Sequence, residues 1–226
     1  MNILLITANL GAFDKQIKNH ISPILKPGIN LAFVEFTDTN FPPRHNALHS
    51  RMQAKIPKML AWEYFPEYDY YIWIDGSVQI INSNFIQNMV NFCAGYEIAL
   101  IPHKDRKKIR DELEFVTELM RGGSAYLLKR YENELMQEQV NLYTQDKDFI
   151  DEKLFVGTVF CYSKELIKSK PEFFKEWYYH CARYSVQDQL SLPYILHKHK
   201  IKVKEIDPQQ VEGQVEWLGD LRNRIA

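Results

Sequence analysis

Tyr68-Asp69-Tyr70-Tyr71-Ile72-Trp73-Ile74-Asp75-Gly76-Ser77-Val78-Gln79-Ile80 is the stretch whose reading decides the fold. Tyr70 to Ile74 is an unbroken apolar and aromatic run, the pattern of a strand covered on both faces. It stops abruptly at a carboxylate, a glycine and a hydroxyl. A carboxylate at the end of such a strand is held stiffly by its hydrophobic support yet can face solvent. Gly76 lets the backbone turn sharply and a ligand come close, and Ser77 adds a second oxygen. Hard cations such as Mg²⁺ and Mn²⁺ take carboxylate, water and phosphate oxygens, so Asp75 and Ser77 offer a place for a metal shared with a diphosphate. The same residues also fit a plain Asp-Gly hairpin turn, with Val78 to Ile81 as the return strand.

Outward from this strand, apolar runs of similar character recur. Residues 2–8, Asn30–Thr37, Glu97–Ile101, Leu154–Tyr162 and Ile201–Ile206 read as strands. Between them lie helical patterns at Asp14–Ile21, at Ala47–Tyr64 with an interruption at Pro57, and at Phe85–Phe92. A charged, helix-rich stretch runs from Asp105 to about Asp146 with a break at Gly122-Gly123. A further helical pattern, Phe173–His199, is broken near Pro193. Alternation at this spacing predicts one Rossmann-like α/β domain over residues 1–226, with a mostly parallel central sheet and helices on both faces. In such sheets ligands sit beyond the carboxyl ends of the strands. That rule selects Thr7-Ala8-Asn9, Thr37-Asp38, Asp75-Gly76-Ser77 and the segment after Ile101 as the walls of one crevice. The proline-bearing loop Thr39–Arg44 follows the second of these.

The bulk properties exclude several classes. A formal net charge of -1 provides no global field for nucleic acid or an anionic membrane. The cysteines Cys93, Cys161 and Cys181 are odd in number and show no C-x-x-C pairing, which argues against a disulfide framework or zinc cluster and for a reducing compartment. Ile3 to Ile6 lacks a basic flank and is too short for a signal peptide or a transmembrane span. A cytoplasmic protein is expected. Neither a P-loop nor a dinucleotide-binding glycine motif occurs.

The 68–80 segment resembles the metal-binding D-x-D region of GT-A glycosyltransferases. It is most similar to a family first catalogued as a domain of unknown function, with plant, bacterial and large-virus members. That family has a helix carrying Arg, Lys and Pro ahead of a Trp-Ile-Asp-Gly strand, matched here by Arg51, Lys55 and Pro57 and then Trp73 to Gly76. The resemblance extends to His103 and Arg106 and to Asp188-Gln189-Leu190-Ser191. The departure is Ser77, where D-x-D has its second carboxylate, and this leaves the number of metal ligands open.

The resemblance implies a GT-A fold, Mn²⁺ or Mg²⁺, and a nucleotide-sugar donor, expected to be a UDP-sugar. The reaction it implies is transfer of a hexose-type sugar to a glycan or lipid-linked acceptor. Inversion and retention are both open, and Asp188 read as a general base favours inversion. Loss of a nucleoside diphosphate builds charge on phosphate oxygens, which a divalent cation and nearby Arg or Lys stabilise. Arg51 and Lys55 lie one helical turn apart and can supply that charge, or can form a solvated basic face. Thr7, Asn9 and Asp38 stand where such folds hold the nucleoside, although each also fits a loop-capping role. His103 and Arg106 follow a strand end and can reach donor or acceptor, or open a solvated helix. Asp188 resembles the acidic residue that acts as general base, and it equally fits a helix N-cap. A nucleotidyltransferase acting on sugar phosphates and a non-catalytic nucleotide- or carbohydrate-binding module remain the alternatives.

Overall fold

Tyr71 to Ile74 are buried, because packed side chains cover both faces of the sheet in which this strand lies. The computed structural model describes residues 1–11, 20–41 and 47–218. Its elements begin β1 (Asn2–Asn9), β2 (Asn30–Thr37), α1 (Ser50–Tyr64), β3 (Tyr70–Ile74), β4 (Val78–Ile80), α2 (Phe85–Cys93) and β5 (Ile98–Pro102). There follow α3 (Ile109–Arg121), α4 (Ala125–Tyr131), α5 (Met136–Gln145), β6 (Phe155–Ser163), α6 (Lys164–Ser169) and α7 (Glu172–Arg183). The series ends with α8 (Asp188–Lys198), β7 (Val203–Glu205), α9 (Pro208–Val211) and β8 (Val215–Trp217).

Six strands form one sheet in the order β2-β1-β3-β6-β5-β7. β1 pairs in parallel with β2 and β3, and β5 with β7, while β6 runs antiparallel to β3 and β5. The α/β class and the mostly parallel sheet are as expected, with β6 as the one reversed strand. β3 thus has a partner on each side, and β4 pairs with β8 instead. The hairpin alternative at Asp75-Gly76 falls on this topology.

Alternate strand residues feed two apolar clusters, one on each face. Leu4, Ile6, Tyr71, Trp73, Phe160 and Tyr162 meet Met59, Trp177 and Leu190 from α1, α7 and α8. Ile3, Leu5, Ile72, Ile74, Val159 and Cys161 meet Phe85, Ile86 and Met89 from α2. Two covered faces explain why these strands read as continuous apolar runs. The two-residue period also aims the site: Tyr71 and Trp73 face α1, and the next residue in that series is Asp75.

Three expectations change. Pro57 lies inside α1 without ending it. The ring costs one backbone hydrogen bond, but the buried face around it (Met52, Pro57, Met59, Ala61) holds the helix in place. The break in the 173–199 pattern comes at residues 184–187, and Pro193 sits within α8. Its cause is Glu134, whose Oε2 accepts from Ser185 Oγ at 2.7 Å and Val186 N at 2.8 Å, drawing the chain out of helical register. β7 is not the last strand, since β8 follows it to edge β4. The helix expected at Asp14–Ile21 falls outside the described residues except at its last two, which are not helical. Residues 42–44 of the proline-bearing loop also fall outside them. The three cysteines are buried and free. Among the described residues no helix is long and apolar enough to cross a membrane.

Candidate active site

A cleft opens where the carboxyl ends of β1 and β3 meet the start of β6. Asn9, Asp75, Gly76 and Ser77 line one wall beside Gly157 and Thr158, and Arg51, Lys55 and Lys58 of α1 line another. Tyr126 and Arg130 of α4, Asp188 at the start of α8, and Trp217 complete it. The backbone N of Asp75 donates to Thr158 O at 2.8 Å, which ties the end of β3 to β6 and fixes where Asp75 emerges.

α1 supplies most of the charge. Residues 51, 55 and 58 are spaced by four and three, so they form one stripe along the helix, and Ala54 between them leaves room for a ligand. The helix starts at the cleft, where His49 Nδ1 accepts from Arg51 N at 3.2 Å. The Arg51 guanidinium lies over the Tyr131 ring at 5.7 Å and donates through Nη2 to Lys129 O at 3.2 Å. Its Nη1 is buried and has no hydrogen-bond partner among the described residues. Arg130 stacks on the same Tyr131 ring at 5.4 Å and on Tyr126 at 5.0 Å. Two guanidinium groups are thereby held side by side against aromatic faces.

Beneath them is a buried ionic cluster. Asp188 Oδ2 accepts from Lys55 Nζ and Lys58 Nζ, each at 2.7 Å. Lys58 Nζ also reaches Asp75 Oδ1 at 3.4 Å. Side-chain exposure is 5% for Lys58 and 8% for Asp188, against 31% for Asp75. Burial alone would push the Asp188 carboxyl up, but the two ammonium groups outweigh it and hold its pKa well below the usual carboxylate range. Burial opposes the charge on Lys58, and the Asp188 and Asp75 carboxylates more than offset this, raising its pKa to about 12. Gly157 makes the cluster possible: a Cβ there would stand 3.2 Å from Lys58 Nζ and 3.4 Å from Asp188 Oδ1. Trp73 completes the frame, donating from Nε1 to Asp75 Oδ1 at 2.8 Å while its ring faces Lys58 Nζ at 5.7 Å.

Of the residues expected at the site, Asn9, Arg51, Lys55, Asp75, Ser77 and Asp188 line this cleft. Thr7 does not; it is buried within β1 at 5% exposure. Asp38 does not line it either, and accepts from Gly11 N at 2.8 Å, capping the turn after β1. His103 and Arg106 are drawn into a different network. His103 Nδ1 accepts from the Asp105 and Arg106 backbone N–H groups, and Arg106 Nε donates to Glu112 Oε2 at 2.5 Å. Glu112 Oε1 in turn accepts from Gln187 Nε2 at 2.8 Å, so Arg106 supports the segment before Asp188 from behind. Lys58, Tyr126, Arg130, Gly157 and Trp217 were not anticipated. Lys58 carried a signal, since it continues the stripe of Arg51 and Lys55; Gly157, a glycine inside a strand, carried a weaker one. Arg130 and Trp217 reach the cleft only through the tertiary fold.

Asp75 and Ser77 do not fit the expected Mn²⁺ or Mg²⁺. Asp75 Oδ1 is already committed to Trp73 and Lys58, which sets an ammonium beside the carboxylate a cation would use. Ser77 is buried at 2% exposure. Among the described residues the lining carries four cationic side chains and two acidic ones, and Asp188 is held by two lysines. Like charges about 4 Å apart repel by roughly 4 kcal/mol per unit pair at an effective dielectric of 20. Among the described residues no three His, Cys, Asp or Glu side chains gather to hold a metal.

The α/β sheet thus carries a cleft with a cationic described lining at the carboxyl ends of β1 and β3. The chain belongs to the TOD1/MUCI70, glycosyltransferase-like domain family, which it matches over residues 44–210. That span holds the α1 stripe, the 68–80 segment, Arg130, Gly157 and Asp188, and leaves out β1 and Trp217. Among solved structures, the crystal structure of A197 from STIV is similar with 13% identity and a TM-score of 0.40, covering 92% of this chain and 82% of that one. No curated protein matches.

Proposed function

We propose that the protein is a glycosyltransferase that takes a sugar from a nucleoside-diphosphate donor bound in the β1–β3 cleft and passes it to a glycan or glycoconjugate hydroxyl. Family membership supports the reaction class. The observation that carries the donor is the grouping of Arg51, Lys55, Lys58 and Arg130 around one cleft, held by aromatic faces and a buried carboxylate.

In sugar transfer the acceptor oxygen bonds to the anomeric carbon, the bond from that carbon to the donor phosphate oxygen breaks, and the diphosphate leaves with the electron pair. Fixed cations aimed at those phosphate oxygens lower the barrier, because they need no reorganisation as the charge develops. The cationic stripe of α1 is suited to that task. An inverting transfer also needs a carboxylate to take the acceptor proton. Asp188, clamped by two ammonium groups and with its pKa held low, is a poor proton acceptor, so we assign it to positioning Lys55 and Lys58. Asp75, at the mouth and 31% exposed, is the carboxylate able to reach a ligand hydroxyl. The free, buried cysteines support a reducing compartment such as the cytoplasm.

The test is incubation of the protein with a panel of nucleotide sugars, followed by assay for released nucleoside diphosphate. Slow donor hydrolysis that accelerates with glycan acceptors is the expected result. Binding without release would make the protein a non-catalytic module. Pyrophosphate released from a nucleoside triphosphate and a sugar phosphate would make it a nucleotidyltransferase.

A further inference from the structure

We propose that this cleft holds the donor diphosphate without a divalent cation, the neutralising charge coming from Arg51, Lys55, Lys58 and Arg130. The inference rests on the nucleotide-sugar reading and concerns how that ligand is held.

Geometry supports it from three sides. Arg51, Lys55 and Lys58 lie along one face of α1, whose first turn opens onto the cleft, so side-chain charge and the positive end of a 15-residue helix act together. The Arg51 Nη1 is buried and has no hydrogen-bond partner among the described residues, a donor whose desolvation an incoming phosphate oxygen would offset. Lys58 keeps its charge despite burial, because Asp188 and Asp75 hold it.

Charge balance points the same way. Among the described lining residues four cations face two carboxylates, and Asp188 holds Lys55 and Lys58. A metal-dependent site gathers acidic side chains to attract its cation; this one sets an ammonium 3.4 Å from the exposed carboxylate. A divalent cation would stand beside the Lys58 ammonium and add to the positive charge of the described lining. A diphosphate added alone corrects the imbalance.

Calorimetric titration of the full chain with UDP, ADP and GDP, in excess EDTA and again with millimolar Mn²⁺ or Mg²⁺, tests this. The best nucleotide is expected to bind in EDTA with an affinity within about threefold of its metal-containing value. R51A should lower that EDTA affinity by about tenfold or more, while lowering affinity for the free nucleoside far less. Binding seen only with metal, or strengthened about tenfold or more by it, overturns the inference and leaves the donor reading standing. If no nucleoside diphosphate binds under either condition, the donor reading falls and the inference falls with it.

Discussion

Lys58 Nζ lies 2.7 Å from Asp188 Oδ2, an ion pair that joins α1 to the start of α8 in the lining of the cleft. Both side chains are almost fully buried, and Lys55 shares the same carboxylate oxygen. Such a cluster is costly to desolvate, so its worth to stability as a whole is small. Removing one member is a different matter, because the others stay charged and buried.

Asp188→Asn should therefore cost about 3–5 kcal/mol, since it strands two ammonium groups beside a neutral amide. The pH dependence should also change. In the native protein the depressed Asp188 carboxyl contributes stability above its unfolded value of about 4, lost as pH falls through its lower folded value. Lys58, raised to about 12, contributes below about 10.4 and loses that contribution as pH rises through its folded value. Both contributions are intact between roughly pH 4 and 10. In the variant only Asp75 is left to offset the burial of Lys58, so the Lys58 pKa should fall and the native loss of stability at high pH should weaken or reverse. Urea unfolding across pH checks this; a variant with native stability and an unchanged alkaline profile would mean that the cluster is not buried as described.

The sheet was legible because both of its faces are covered: Ile3 to Ile6 and Tyr70 to Ile74 alternate between two clusters, and so appear as unbroken apolar runs. Asp75 was legible for the same reason, as a charge that ends such a run. The α7–α8 break was not, because it depends on Glu134 capturing Ser185 and Val186 across the fold. A proline in the local pattern drew attention to the wrong place. His103 and Arg106 looked like site residues from their position after a strand. Their partners are near in sequence, the Asp105 and Arg106 backbone N–H groups for His103 and Glu112 for Arg106. A residue pattern does not show that these contacts are made in place of cleft contacts. Lys58 was within reach: the 51, 55, 58 spacing is visible, and only its burial against Asp188 was hidden.

Trp73→Phe removes the Nε1 donor that holds Asp75 Oδ1 at 2.8 Å while keeping an aromatic ring in the core. Loss of one such bond to a charged group costs about 1.5–3 kcal/mol, less where water can replace it at the partly exposed carboxylate. The larger effect should fall on turnover, because an unanchored Asp75 no longer meets the ligand in a fixed orientation. A fall in donor hydrolysis of about tenfold or more, in a variant that still unfolds cooperatively, is expected. Unchanged turnover would show that the orientation of Asp75 does not matter.

Gly157→Ala places a methyl group 3.2 Å from Lys58 Nζ, inside a contact that is already tight. The lysine end would have to shift, yet the two carboxylates restrain it. Overpacking of this kind costs about 1–3 kcal/mol. Nucleotide affinity should fall in parallel, because the displaced ammonium is one that faces the ligand. Measuring the denaturation midpoint and nucleotide affinity on the same sample separates the effects: lost stability with full affinity would remove Lys58 from the binding surface.

Trp217→Ala tests the opposite rim. Trp217 stands on β8, paired with Val78 of β4, and Leu218 N donates to Ser77 O at 2.9 Å, which brings Trp217 into the lining of the cleft with Asp75, Gly76 and Ser77. At 53% exposure it is a large apolar surface beside a cationic cleft. A base or sugar face stacked on it would gain about 1–3 kcal/mol, while exposed positions contribute within about 0.5 kcal/mol to stability. The substitution is therefore expected to weaken nucleotide-sugar binding by about tenfold with an unchanged unfolding midpoint. Saturable quenching of native tryptophan fluorescence by the nucleotide, reduced in the variant, is the corresponding optical signature. Equal affinity in the two proteins would leave Trp217 as the edge of a small sheet and confine the donor to the α1 side of the cleft.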